Sequence, residues 1–205
     1  NYYRDYQEKA QAIKHGAVPK WPTYYYKKAT LANRPGGEIP SYPGYAGDLD
    51  SEPGVAMITA ADIRAIPEQE TGKYIFGYMI LNNIISRELT QKFRRPVVST
   101  SLDGFLPMGP WITTADEFEE NPIFDIETTW NGKVVQSAKT DLMKFSPNHV
   151  VSDLCQYSIL KAASIIWMGS PFGCGRDRTP AQYLAPGDVI SCTVSHLGTL
   201  TNTVR

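Results

Sequence analysis

The residues that could do chemistry in this chain fall in a few short stretches. Asp48, Asp50 and Glu52 alternate, so on an extended backbone all three carboxylates share one face. Such a face suits a hard cation, which takes oxygen ligands; in a loop the same residues form a solvated acidic patch. Three glycine-rich segments stand out: Ser101–Trp111, Gly169–Gly175, and Leu184–Ile190 followed by Gly198–Asn202. Glycines so closely spaced serve either a sharp turn or a place where backbone amides meet a ligand. Cys174 lies inside the second segment, where amides could favour a thiolate or where the side chain simply packs. Lys92, Arg94 and Arg95 form a local basic cluster that reads as solvated loop or as a contact for a substrate carboxylate. His15, His149 and His196 are too far apart for a local metal motif.

These groups need a scaffold, and the chain has the material for one. It has 205 residues, 42% hydrophobic and 20% charged, which suits a single globular domain with a sizeable core. Its 20 Lys+Arg balance 21 Asp+Glu, leaving a net charge of -1 and no electrostatic footprint for nucleic acid or an anionic membrane. No apolar run reaches the ~20 residues of a membrane-spanning helix, and the polar start does not resemble a signal peptide. Three scattered Cys argue against a disulfide framework and favour a reducing, cytoplasmic setting.

Asn131-Gly132 between Phe124–Trp130 and Lys133–Ser137 is a type I′ hairpin signal, because both turn positions need positive φ. Further strands are expected at Tyr24–Tyr26, Val55–Ala60, Tyr74–Leu81, Ser164–Met168, Val189–Val194 and after Gly198. Helices are expected at Arg4–His15, capped by Gly16, and at Pro147–Ile159, with a helical turn or two over Pro67–Gly72. Residues 33–54 read as a glycine- and proline-rich loop, and Ala185–Asp188 as a turn. The expected fold class is mainly β with short helices.

Taken in order, Ser101-Leu102-Asp103-Gly104-Phe105-Leu106-Pro107-Met108-Gly109-Pro110-Trp111, the Asn-Gly hairpin, Gly169–Gly175, and Leu184-Ala185-Pro186-Gly187-Asp188 with Gly198–Asn202 resemble the fumarylacetoacetate hydrolase family. Tyr78–Glu88 is similar to another of its motifs, and the likeness runs from Asn1 to Val204. The resemblance implies one domain over 1–205, the family's N-terminal segment being absent or not included, folded as a mixed β-sandwich roll and usually dimeric. It also implies a divalent metal, Mg²⁺, that chelates the oxygens of β-dicarbonyl or 2-oxo acid substrates.

Residue by residue, the implied chemistry is incomplete. The family's paired glutamates fall on Glu52 and Gly54, and its metal-binding aspartate on Asn83. A metal, if retained, would rest on Glu52 and Asp50, given a slip of register near Pro53-Gly54. The general-base histidine falls on Tyr6 and the cationic lysine on Thr100, while Ser170 keeps a hydroxyl in the glycine loop. Arg87 is expected to pair with a carboxylate. The sequence thus points to a metal-independent isomerase, lyase, decarboxylase or cyclase acting on a β-dicarbonyl or polyketide-like small molecule. Tyr6, Thr100 and Ser170 are the candidate catalytic residues, and Tyr26, Asn83, Asp103 and Gly169 the candidate substrate contacts; for Tyr24–Tyr26 core packing is the competing role. The alternatives are a pseudoenzyme paired with an active homologue, or an enzyme with a rebuilt Mg site. No cofactor is expected, and a homodimer or a dimer with a homologue is.

Overall fold

A computed structural model describes residues 1–9, 19–28, 31–94 and 96–205. His15, Gly16 and Arg95, which enter the readings above, lie outside the described residues. Nine strands form two sheets among the described residues. The five-stranded sheet has the order β1 (Glu38–Ile39), β9 (Gly198–Val204), β8 (Val189–Val194), β5 (Asp125–Trp130), β6 (Lys133–Lys139). The four-stranded sheet runs β4 (Met108–Thr114), β3 (Ile75–Ser86), β2 (Leu49–Thr59), β7 (Ile165–Trp167). Among the strands of the described residues, β1 and β9 alone pair in parallel. The class is therefore mainly β with short helices, as expected.

Alternation sorts the long central pair. Val55, Met57, Tyr78 and Ile80 point into a core shared with Ile126, Cys192, Val194 and Leu200 of the other sheet. Their neighbours Ala56, Ile58, Met79 and Leu81 point to the opposite face, where Leu106, Met108 and Trp167 cover them. All eleven residues of β2 are buried, which fits a strand covered on both faces.

The turn signals hold. Asn131 and Gly132 adopt φ of 49° and 77°, and the Asp188 amide bonds the Ala185 carbonyl at 3.0 Å ahead of β8. Helix α1 is observed over Tyr3–Lys9. Helix α4 (Pro147–Tyr157) starts where the Ser146 hydroxyl accepts the His149 amide and Pro147 fills the first turn. It buries Val150, Val151 and Cys155, each fully buried aliphatic contributing about 1.5–3 kcal/mol. Helices α2 (Arg87–Phe93) and α3 (Pro96–Thr100) follow β3 directly; Ser86 caps α2 by accepting from the Leu89 amide.

Two expectations fail. The loop expected over 33–54 contains β1 and the first half of β2, because pairing with β3 overrides the weak local preference of Asp50–Gly54. Asp50 and Glu52 are accordingly 2% and 7% exposed, not a solvated acidic loop. Tyr24–Tyr26 form no strand, and the three residues are 39–78% exposed rather than core.

Candidate active site

The site grows from the outer face of the β2–β3 pair. Asp50, Glu52 and Gly54 stand there in two-residue steps, opposite Ile85, Asn83 and Leu81. The register runs unbroken through Pro53 and Gly54, so no slip brings the acidic residues into a new arrangement.

Arg87, the first residue of α2, reaches back over this face. Its Nε and one terminal nitrogen donate to Asp50 Oδ2 at 3.0 and 2.6 Å, and that terminal nitrogen also donates to Glu52 Oε1 at 2.6 Å. The Asp50 carboxylate further accepts the amides of Ser51, Gly175 and Arg176 at 2.9, 2.7 and 3.2 Å. Glu52 Oε2 accepts from Asn83 Nδ2 at 2.8 Å. Burial alone would raise the Glu52 pKa, but the Arg87 and Arg176 guanidiniums outweigh it and hold the carboxyl below its usual range. Burial likewise works against the Arg87 charge, and Glu52 and Asp50 raise its pKa nonetheless.

Lys27 supplies the second cation. It arrives from residues 19–28, a strap laid across the outer face of the four-stranded sheet. The Tyr24 hydroxyl ties the strap to Asp153 of α4 at 2.7 Å, and the Lys28 amide ties it to Ser101 Oγ at 3.0 Å. Between these anchors Lys27 Nζ donates to Asn83 Oδ1 at 2.8 Å, to the Phe105 carbonyl at 2.6 Å and, weakly, to the Ile84 carbonyl at 3.4 Å. Burial lowers its pKa to about 7 against the opposing pull of Glu52. The Tyr25 hydroxyl lies 3.4 Å from Asn83 Nδ2, and burial followed by Glu52 pushes that phenol up, so it remains a proton donor.

Strap and sheet enclose a cavity of about 400 Å³. Lys27 and Asn83 line it with Tyr24, Tyr25 and Tyr26 on the strap side and Leu81, Leu106, Met108, Ile166, Trp167 and Gly169 opposite.

The structure separates the residues singled out from sequence. Asn83, Tyr26 and Gly169 line the cavity, and Glu52 sits behind Asn83. Tyr6 does not line it; its hydroxyl donates to Asp177 at 3.2 Å, and burial pushes its pKa up. Asp177 also accepts the Gly173 and Cys174 amides at 3.1 Å each, so Tyr6 helps fix the glycine loop. Ser170 accepts from Gln136 at 3.0 Å, Thr100 is fully buried with its hydroxyl on the Pro96 carbonyl, and Asp103 is exposed. None of these three lines the cavity. Burial pushes the Cys174 thiol well up, which removes the thiolate reading. Sequence reasoning missed Lys27 and took Tyr25 for core. The available signal was a lysine directly after three tyrosines in a stretch bounded by Pro22.

A family model described as fumarylacetoacetate (FAA) hydrolase C-terminal matches residues 1–205. The chain belongs to this family. It is 30% identical to the oxaloacetate tautomerase YisK of Bacillus subtilis (strain 168), over 98% of this chain and 66% of that protein. A fumarylacetoacetate hydrolase from Exiguobacterium antarcticum superposes with a TM-score of 0.81 at 32% identity, over 83% of this chain and 61% of that one. A 5-carboxymethyl-2-hydroxymuconate delta-isomerase from Mycobacterium smegmatis does so with a TM-score of 0.79 at 25% identity, over 94% and 72%. The chain thus spans 65–66% of the length of the first curated relatives it matches.

The divalent metal that the family implies does not fit these residues. A Cβ at Gly54 would lie 2.1 Å from the Gly169 carbonyl oxygen, so no side chain, least of all a second glutamate, can stand there. Asn83 is neutral, and its carbonyl oxygen already accepts from Lys27. Both oxygens of Asp50 and of Glu52 are engaged by donors. Among the described residues no group of three or more His, Cys, Asp or Glu is placed to hold a metal.

Proposed function

We propose that this chain is a small-molecule isomerase of the keto–enol type that acts on an oxo-acid without a divalent metal. The observation that carries the reading is the Lys27 amine, held on Asn83 inside a largely apolar cavity. Positive charge in such surroundings stabilises an enolate oxygen far better than it would in water. The names of the relatives, a tautomerase and a delta-isomerase among them, support the same reaction class.

The chemistry follows from the groups at hand. In its neutral form Lys27 keeps its two N–H donors on Asn83 and Phe105 and frees its lone pair by giving up the weak Ile84 contact. The carbon beside a carbonyl loses its proton to that amine, and the C–H electron pair becomes the enolate. The resulting ammonium neutralises the enolate and returns the proton to its oxygen, giving the enol with the lysine restored. A group with a pKa near 7 suits both transfers, since neither protonation state is costly at neutral pH. Asn83 orients the amine, and Tyr25, protonated throughout, donates a hydrogen bond to the substrate.

The test is ultraviolet detection of enol–keto interconversion of 2-oxo acids, oxaloacetate included, with EDTA or with Mg²⁺. The reading expects a rate above buffer that EDTA leaves in place and Lys27→Met removes. Loss of the rate in EDTA with recovery in Mg²⁺ overturns the metal-free claim; no rate under either condition overturns the isomerase claim.

A further inference from the structure

We infer that the preferred substrate is an oxo-monocarboxylate with a long aliphatic or aryl body, in contrast to a short dicarboxylate. This rests on the proposed site and deepens it. Lys27 is the only Lys, Arg or His side chain among the described residues that line the cavity. Its ammonium form, present beside the neutral amine at neutral pH and formed again when the amine takes the substrate's proton, matches one carboxylate or enolate. A second carboxylate in the same space would face Leu, Ile, Met and aromatic groups, and an ion buried without a partner is disfavoured.

The strands set the length of the apolar part. Asn83 stands opposite Glu52, and one two-residue step along the same face the floor has become Leu81 beside Gly54, with no charged side chain beyond it among the described residues that line the cavity. Further along β2, Ile58 pairs with Ile165 of β7, and Ile165 also lines the cavity. Six residues separate Glu52 from Ile58, on the order of 20 Å at the rise of a β-strand. Leu154 and Leu160 also line the cavity. A four-carbon acid anchored at Lys27 leaves most of a cavity of about 400 Å³ unfilled, whereas a longer aliphatic or aryl substituent extends along its apolar length. Trp21 and Tyr26 on the strap, 72% and 78% exposed, mark the side where the cavity meets solvent.

The test reads binding, not turnover, so it stands apart from the isomerase claim. Calorimetric titration with pyruvate, 2-oxohexanoate, 2-oxooctanoate and phenylpyruvate is compared with oxaloacetate and 2-oxoglutarate. Affinity is expected to rise several-fold per added methylene, up to about fourfold, and both dicarboxylates are expected to bind more weakly than 2-oxooctanoate. Met108→Glu, at a half-buried residue beside Leu81 and so within reach of the chain, should weaken 2-oxooctanoate at least about tenfold and pyruvate by less. An affinity that is flat with chain length, or dicarboxylates that bind more tightly than the eight-carbon acid, overturns the inference. Tight binding of 2-oxooctanoate with no enolisation overturns only the isomerase reading.

Discussion

Replacing Arg87 by methionine tests the ion cluster that braces the site. The change removes three charge-assisted hydrogen bonds, two to Asp50 and one to Glu52, and leaves Asp50 buried without its cation and Glu52 with only the more distant Arg176, at 4.0 Å. At about 1.5–3 kcal/mol each the bonds set an upper limit of roughly 5–9 kcal/mol. Asp50 keeps three backbone amides and Glu52 keeps Asn83, so the expected loss is the 3–5 kcal/mol typical of breaking a buried pair. With a urea slope of about 2–3 kcal/mol per molar, the midpoint followed by tryptophan fluorescence should fall by about 1–2 M at pH 7. The pH dependence has a definite sign. Glu52 titrates lower in the folded chain than its ordinary 4.5, so its contribution is present above that value and lost as pH falls through the folded pKa. The gap between wild type and Arg87→Met should therefore be full at neutral pH and narrow below about 4.5. A shift under about 0.5 M at pH 7, or a gap that widens in acid, would refute the assignment of Arg87 as the brace.

Three further expectations concern neighbouring residues. Gly54→Ala places a methyl against the Gly169 carbonyl in a central strand and should cost about 1–3 kcal/mol by thermal or urea unfolding; an unchanged midpoint would mean that the loop is not seated as described. The enolisation rate should rise with pH through about 7, as Lys27 loses its proton and becomes the competent base; a rate that falls over that interval contradicts the role given to it. Asn83→Asp puts a carboxylate against Lys27, favours the ammonium and should move that pH profile upward, in a rate-against-pH series; an unmoved profile removes Lys27 from the proton transfer.

How far the sequence could be read depended on the range of the contacts involved. The Asn131-Gly132 hairpin, the Ala185–Asp188 turn and α4 were legible because each is set by residues a few positions apart. The start of β2 was not, because Asp50–Gly54 have poor strand preference and are held by register with Asn83 and its neighbours some thirty residues on. That Gly54 and Asn83 carry no carboxylate was visible in the chain itself. The placement of Lys27 was not: the residue is delivered by a strap whose path depends on Asp153 and Ser101 and on no periodicity of its own. Chemistry placed by one non-local tether leaves no spacing to detect.

The strap has a consequence for how such a protein can diversify. The residues that carry the ammonium also make one wall of the cavity, so a substitution in 19–28 alters the space for the substrate body and the position of the charge together. In an enzyme whose charge stands on a sheet, loops can be exchanged to admit new substrates while the reactive group stays put. On the proposed function, selectivity and reactivity are inherited here as one segment, so change in either is expected in compensated pairs, one member on the strap and the other on the sheet beneath it.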